Sequence, residues 1–188
     1  MMSEALLFLL DVLLQPFAAI LLLRFHLQWL RAPMRNPLGE FIMEMTNFAV
    51  LRARRFIPAL LGLDIATLLL AFVAKAAYLS ATLWIQGIPL DGFPLLGLLI
   101  WTAVKLLKIS LYLLMAALFI QALLSWFNPG TPVAGLLTAA TRPFLAPLRR
   151  RIPPFGNIDL TTLALLIVCQ LILIVPLGWL ESMAMRLV

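Results

Sequence analysis

The chain has 188 residues, of which 64% are apolar and only 12% are charged. Soluble domains carry about 25% charged residues, so this composition excludes a water-soluble globular protein and indicates an integral membrane protein. The excess of 14 basic over 8 acidic residues is, in such a chain, first a topology signal, and we expect no nucleic-acid binding.

One sequence pattern occurs twice along the chain. The run Arg54-Arg55-Phe56-Ile57-Pro58, followed by Asp64, recurs at a constant offset as Arg149-Arg150-Arg151-Ile152-Pro153, followed by Asp159. A stretch rich in glycine and proline at 87–94 separates the two copies. The pattern predicts a first repeat at 1–86, a linker turn at 87–94 and a second repeat at 95–188.

Each repeat is predicted to contain two membrane-spanning helices with a shorter amphipathic helix between them. Every span ends at a tryptophan, as in an aromatic belt, and an aspartate caps the second span of each repeat. The predicted spans are 9–29, 64–84, 106–126 and 159–179, and the predicted amphipathic helices are 37–51 and 132–146. The fold class is therefore an all-α membrane protein with four spans, arranged as two parallel tandem repeats.

The amphipathic helices are recognised by apolar residues at helical spacing. The first stripe runs through Leu38, Phe41, Ile42, Met45, Phe48 and Ala49, and the second runs through Val133, Leu136, Leu137, Ala140 and Phe144. Pro132 suits a first helical turn, whereas Pro143 and Pro147 are expected to make the end of the second helix irregular. Both stripes are too short to span, so we place these helices at the membrane interface or against the spans.

Basic residues set the predicted orientation. Nine arginines lie in the two connections inside the repeats, whereas the sequence before the first span and the central turn contain no lysine or arginine. The positive-inside rule then places both connections in the cytoplasm and both termini outside. The amino terminus also lacks the basic region of a cleavable signal, so the first apolar stretch is expected to remain as an anchor.

The arginines of the connections are candidates for binding anionic lipid headgroups or a protein partner, since each cation near an anionic surface contributes about 1 kcal/mol. The alternative is that they determine topology and do nothing further. The candidates are Arg52, Arg54, Arg55, Arg142, Arg149, Arg150 and Arg151.

Polar residues inside the spans are costly and need partners. Arg24 and Lys75 correspond in the second repeat to Gln121 and Gln170, which predicts hydrogen bonds between helices at both pairs of positions. Asp11 corresponds to Lys108, and the two would pair if the repeats packed closely. A polar pathway through the bundle is the alternative.

Specific chemistry is scarce in this sequence. His26 is the only histidine and Cys169 the only cysteine, so the residues predict no catalytic set, no metal site and no cofactor.

The repeated Arg-Arg-x-Ile-Pro motif with its downstream aspartate, after a span that closes on Leu123-Leu124-Ser125-Trp126, resembles the YggT (YlmG-like) membrane-protein family. The second copy is the closer match: Thr141-Arg142-Pro143 leads to Pro147-Leu148-Arg149-Arg150 and then to Gly156, Ile158 and Asp159. The first copy has Asn47-Phe48 in place of Arg142-Pro143.

The resemblance implies a small, non-enzymatic protein of the bacterial inner membrane. It implies a role in assembling membrane complexes or cytochromes, or in division-related organisation. From the arginine clusters and the amphipathic helices we expect anionic lipids and a membrane-protein partner or a second copy as the partners. The alternative implied by the family is a transport element for osmotic-stress ion uptake, potassium in particular. Parallel repeats disfavour transport, because many secondary transporters use inverted ones.

Overall fold

A computed structural model describes residues 2–59, 62–87, 95–127, 130–151 and 160–187. These residues form seven α-helices and no strand, which confirms the predicted all-helical class. The helices are α1 Met2–Trp29, α2 Pro37–Ala53, α3 Ile65–Ile85, α4 Leu95–Phe127, α5 Pro132–Arg149, α6 Leu160–Ile174 and α7 Pro176–Arg186. The predicted linker after Gly87 and the segment that contains the predicted cap Asp159 lie outside the described residues.

Four helical stretches are long and apolar enough to cross a bilayer: α1, α3, α4, and α6 together with α7. Helix α3 matches its expected bounds to one residue, since Asp64 caps its start by accepting a hydrogen bond from the Thr67 amide. Helices α1 and α4 begin well before the expected residues, because their apolar sequence continues without a polar boundary. The fourth span is also longer than expected and is interrupted at Val175, before Pro176.

Helix α1 ends in a Schellman motif, the arrangement in which a left-handed residue closes the last turn. The amide of Ala32 donates to the Leu27 carbonyl at 2.9 Å, and the amide of Arg31 donates to the Gln28 carbonyl at 3.1 Å. Arg31 holds the left-handed position with φ of 51°, and no other described non-glycine residue has a positive φ. Glycine is the usual residue there, since a side chain costs about 1–2 kcal/mol.

Helices α2 and α5 begin with equivalent caps. The side chain of Asn36 accepts a hydrogen bond from the Gly39 amide at 3.0 Å, and the side chain of Thr131 accepts one from the Ala134 amide at 3.3 Å. A proline follows each cap in the first helical turn, where its missing N–H costs nothing. The two helices lie at the same end of the bundle, which we call the arginine end. The opposite end, where α1 begins and α3 ends, is called the terminal end.

Helix α2 presents three different surfaces. Its buried face, with Ile42, Thr46 and Val50, packs on the bundle. A second flank exposes Phe41, Met45 and Phe48, and a third exposes Glu40 and Glu44. The predicted single stripe is therefore divided between the bundle and the outer flank. A helix with this distribution can pack on the spans and immerse one flank in lipid while its acidic flank faces water.

Helix α5 presents only two surfaces. Its buried face contains Leu136, Leu137 and Ala140 from the predicted stripe, together with Thr141 and Leu145. The outward face exposes Thr138 and the basic side chains together with the prolines of the helix, and no large hydrophobic residue of this helix is exposed. Pro143 and Pro147 are accommodated within the helix, which continues to Arg149 and so ends later than expected.

The core that joins the repeats lies at the arginine end. Buried side chains of both copies meet there, among them Leu27 and Ile42 from the first copy and Leu136 and Ala140 from the second. At the terminal end, a smaller cluster of Leu79, Leu83 and Leu98 joins α3 to α4. The repeats are thus held together at both ends of the bundle.

The carboxyl end of α7 approaches α4 closely at Gly97. A Cβ atom at this position would lie 2.4 Å from the Leu187 carbonyl oxygen, which is nearer than atoms can pack. Glycine is therefore required here because two backbones meet.

We expect Gly97→Ala to lower the free energy of unfolding by about 1–3 kcal/mol, because the added methyl must push α7 away from α4. Gly135→Ala is the matched control, since a Cβ there meets nothing within 4 Å and should stabilise α5 by about 0.5–1 kcal/mol. Thermal unfolding of the purified variants in detergent measures both. Equal midpoints for the two variants would contradict the close approach.

Candidate functional site

The buried cation Arg24 connects α1 to α2. Its side chain is 3% exposed, and its Nη1 atom donates to the Thr46 hydroxyl at 2.6 Å and to the Asn47 amide oxygen at 2.9 Å. Its Nε atom is buried without a partner. The guanidinium is thus held by neutral oxygens, which leaves a net positive charge beneath α2.

The second repeat has a neutral counterpart at the same place. The Thr141 hydroxyl donates to the Gln121 amide oxygen at 2.5 Å, and the Gln121 amide also donates to the Thr138 hydroxyl at 3.3 Å. Thr46 and Thr141 are both fully buried. Each repeat therefore joins its first span to its interfacial helix through one polar residue and one buried threonine, with charge in the first copy only.

An ion pair closes the arginine end of the first repeat. Arg54 donates to the Asp64 carboxylate at 2.5 Å, and the Thr67 hydroxyl donates to the same oxygen at 2.5 Å. Burial raises the pKa of the Asp64 carboxyl, but the hydrogen bonds from Arg54 and Thr67 outweigh it and hold the pKa below its ordinary value. Asp64 is therefore ionised at neutral pH, and Arg54 serves the connection between α2 and α3.

A second polar network surrounds Lys75 in the half of the bundle near the terminal end. Lys75 is 4% exposed, donates to the Gln15 amide oxygen at 3.3 Å, and lies 4.3 Å from the centre of the Tyr78 ring. The Gln15 amide and the Tyr78 hydroxyl in turn donate to Asp11, at 2.9 Å and 2.6 Å. Asp11 and Lys75 are thus not in direct contact, and the neutral side chains of Gln15 and Tyr78 connect them.

Lys108 has a different partner from the one that the repeat suggested. Lys105 and Lys108 of α4 both pair with Glu181 of α7, whereas Asp11 is occupied by Gln15 and Tyr78. The structure therefore does not bring Asp11 and Lys108 together.

Gln170 is also separated from the counterpart that the repeat gave it. It is exposed on α6, whereas Lys75 is buried, so the polar equivalence in sequence does not produce an equivalent contact.

Sequence reasoning missed Gln15, Tyr78 and Glu181. A signal existed for Glu181, since it is the only acidic residue after Asp159 and lies on the last apolar segment. Gln15 and Tyr78 each lie one helical turn from a charge on their own helix, Asp11 and Lys75, and this spacing was a local signal. Only the contact between α1 and α3 joins the two pairs into one network.

The remaining candidate arginines lie on the outer surface of the arginine end. Arg142 and Arg149 are seven residues apart, which places them on one face of α5. Arg150 and Arg151 are exposed immediately after the last residue of the helix, and we call the four arginines together the basic face of α5. Arg52 and Arg55 are exposed at the end of α2. This surface is built for electrostatic attraction to anions.

Among the described residues, no group of three or more histidine, cysteine or carboxylate side chains is placed to hold a metal ion. The His26 Nδ1 atom donates to the Leu22 carbonyl at 2.7 Å, and Cys169 is buried in the apolar cluster between α4 and α6. The described side chains thus form an exposed basic surface and hydrogen-bonded contacts between helices. Together with the four apolar spans, these features define the chain as an α-helical multi-pass membrane protein.

A family model described as CCB3/YggT matches residues 3–85 and again residues 100–180. The chain belongs to this family, and the double match agrees with a duplicated unit. The relatives include an uncharacterised protein of Pseudomonas aeruginosa, 33% identical over 91% of this chain and 87% of that protein. An uncharacterised protein of Vibrio alginolyticus is 34% identical over 87% and 88% of the two chains, and the uncharacterised protein YggT of Escherichia coli K12 is 31% identical over 88% and 85%. No solved structure matches the chain significantly.

The two repeats allow a matched test of the buried ties. We expect Thr46→Val to lower the free energy of unfolding by about 2 kcal/mol, because it removes an acceptor from a buried guanidinium, and Thr141→Val to lower it by about 1 kcal/mol, because the pair lost is neutral. Chemical unfolding in micelles measures both. An equal loss of unfolding free energy in the two variants would show that the charge of Arg24 does not strengthen the contact between α1 and α2.

Proposed function

We propose that this protein is a non-enzymatic organising protein of the bacterial inner membrane. Its arginine end faces the cytoplasm and presents a basic surface to anionic lipids and to a membrane-protein partner. In this role it assists the assembly of membrane complexes or of the division and envelope machinery.

The distribution of charge supports this orientation. The nine arginines of the two connections lie at the arginine end, and the terminal end has fewer cations, of which Lys105 and Lys108 are paired with Glu181. The positive-inside rule counts cations in short connections such as these. Both termini are then periplasmic.

The difference between α2 and α5 supports the platform. Helix α2 has an outward apolar flank suited to immersion in the cytoplasmic leaflet, whereas α5 has none and turns its arginines outward. The basic face of α5, formed by Arg142, Arg149, Arg150 and Arg151, is the observation that carries the proposal. A cationic face without exposed large hydrophobic side chains is suited to binding an anionic surface.

The interior of the bundle favours this function over ion transport. The Arg24 network and the Lys75 network are separated along α1 by Leu21 and Leu22 and along α3 by Ala71, which pack together in one apolar cluster with Val50 and Leu106. Conduction requires a continuous polar or water-filled path across the membrane. The apolar cluster between the two networks supports a role other than conduction.

Neutralising three of the four arginines of the basic face should weaken attachment to anionic vesicles. We expect the variant with Arg149, Arg150 and Arg151 changed to Gln to lose roughly a hundredfold in affinity for vesicles rich in phosphatidylglycerol, at about fivefold for each cation. Flotation of the detergent-solubilised protein with vesicles of graded composition measures this. Arg186→Gln, at the terminal end, is the control and should bind normally; a triple variant that floats like the unaltered protein would contradict the platform.

The orientation is tested by labelling single cysteines in intact cells. In a Cys169→Ala background, a membrane-impermeant maleimide should label Ser3→Cys, which is exposed near the amino terminus, and should not label Arg150→Cys until the inner membrane is opened. The reverse pattern would place the basic surface outside the cytoplasm and remove the basis of the proposal.

A further inference from the structure

An apolar groove runs between the two repeats at the arginine end. Its volume is about 360 Å³. Helices α1, α4 and α5 supply most of its wall, which includes Leu23, Leu27, Leu114, Ala117, Leu137 and Ala140. The groove is thus made by both copies, along the line where the first spans of the two repeats face each other.

The position of the groove determines what can fill it. Its wall is formed by spanning helices over the length of α4 from Ser110 to Ile120, about 15 Å of helix, which is half the thickness of a hydrocarbon core. Water is a poor occupant of so apolar a groove, because a bound water molecule needs polar hydrogen-bond partners. A hydrocarbon chain from the adjacent leaflet satisfies both the shape and the chemistry.

We call the end of the groove nearest the loop between α1 and α2 its mouth, and this loop carries two exposed cations. Leu30 and Leu38 line the groove, and the loop that joins them carries Arg31 and Arg35, both exposed. Trp29 and His26 also line the wall near this end, and such amphipathic rings lie at the level of lipid headgroups. An apolar slot with two arginines at its interfacial end matches an acyl chain attached to a phosphate.

Arg31 adds an independent observation. It occupies the left-handed position that closes α1, where glycine would be free of strain. The chain therefore retains a guanidinium at the mouth of the groove at a cost to the backbone, and strain of this kind is found where a side chain is needed for binding.

We propose that the groove binds one acyl chain of an anionic phospholipid, whose phosphate pairs with Arg31 and Arg35. The bound lipid lies between the repeats and contacts both. This inference rests on the proposed function for the orientation of the arginine end, but it uses residues that the basic face of α5 does not include.

Photocrosslinking of the full-length protein in nanodiscs tests the proposal. The nanodiscs contain phosphatidylcholine and a trace of phosphatidylglycerol that carries a diazirine in the middle of one acyl chain, and crosslinked peptides are mapped by mass spectrometry. Crosslinks are expected on the groove wall, in the stretch of α4 from Leu111 to Ala117. A phosphatidylcholine probe with the same diazirine should label this stretch several-fold less, since it lacks the net negative charge.

Two kinds of variant test the groove wall and the arginines at its mouth separately. Ala117→Leu fills the groove and should abolish labelling of the wall, whereas Ala103→Leu, on the exposed surface of α4 outside the groove, should not. Ser110→Leu repeats the test at the other end of the groove if Ala117→Leu fails to fold. Arg31→Gly with Arg35→Gln should reduce the preference for phosphatidylglycerol roughly fivefold per arginine, and the glycine fits the left-handed backbone.

Each outcome decides the proposal. Labelling spread evenly over all lipid-facing surfaces, or unchanged in Ala117→Leu, overturns it, as do protein–protein crosslinks through the groove in place of lipid crosslinks. A groove that labels as expected while the variant with Arg149, Arg150 and Arg151 changed to Gln still floats with vesicles would refute the platform and leave the lipid site standing. The two proposals therefore fail separately.

Discussion

A polar side chain inside a bilayer must find its partner within the protein, and this constraint determines how the bundle is built. Arg24 lies on a spanning helix, and its partners Thr46 and Asn47 lie on α2. The helix at the interface is therefore tied to the span by the same hydrogen bonds that make the buried charge tolerable. Without α2 in place, the guanidinium would have no oxygen atom to accept its hydrogen bonds. The placement of the amphipathic helix and the insertion of the span therefore depend on each other.

The two copies differ in the polar residue that joins the first span to the next helix, and they also differ in their outer surfaces. In the second copy the tie between Gln121 and Thr141 is neutral, so α5 packs over a position that holds no charge. In the first copy the charge of Arg24 lies under α2, whose outer flank is apolar. One copy thus combines a charged interior with a surface suited to lipid, and the other combines a neutral interior with a basic surface. The two repeats therefore differ in both their interiors and their outer surfaces.

How much of this could be predicted depended on where the sequence carries local signals. Helix α3 was located to one residue because Asp64 and Trp84 mark its two ends, whereas the starts of α1 and α4 have no such marker. The equivalence of Arg24 and Gln121 followed from the repeat. The pairing of Glu181 with the α4 lysines was not predictable, because the position of α7 depends on a backbone approach at Gly97 that no local pattern encodes. The groove between the repeats also required the packed structure, since its wall comes from distant parts of the chain.

The interruption before Pro176 gives the fourth span a joint within the membrane. Proline supplies no amide for the Ile172 carbonyl, so the continuous ladder of backbone hydrogen bonds is weakened where α6 meets α7. Helix α6 is held by α4 and α5 through the cluster around Cys169, and α7 is held by the α4 lysines through Glu181. The two segments are therefore anchored independently, each by its own contacts on its own side of the joint.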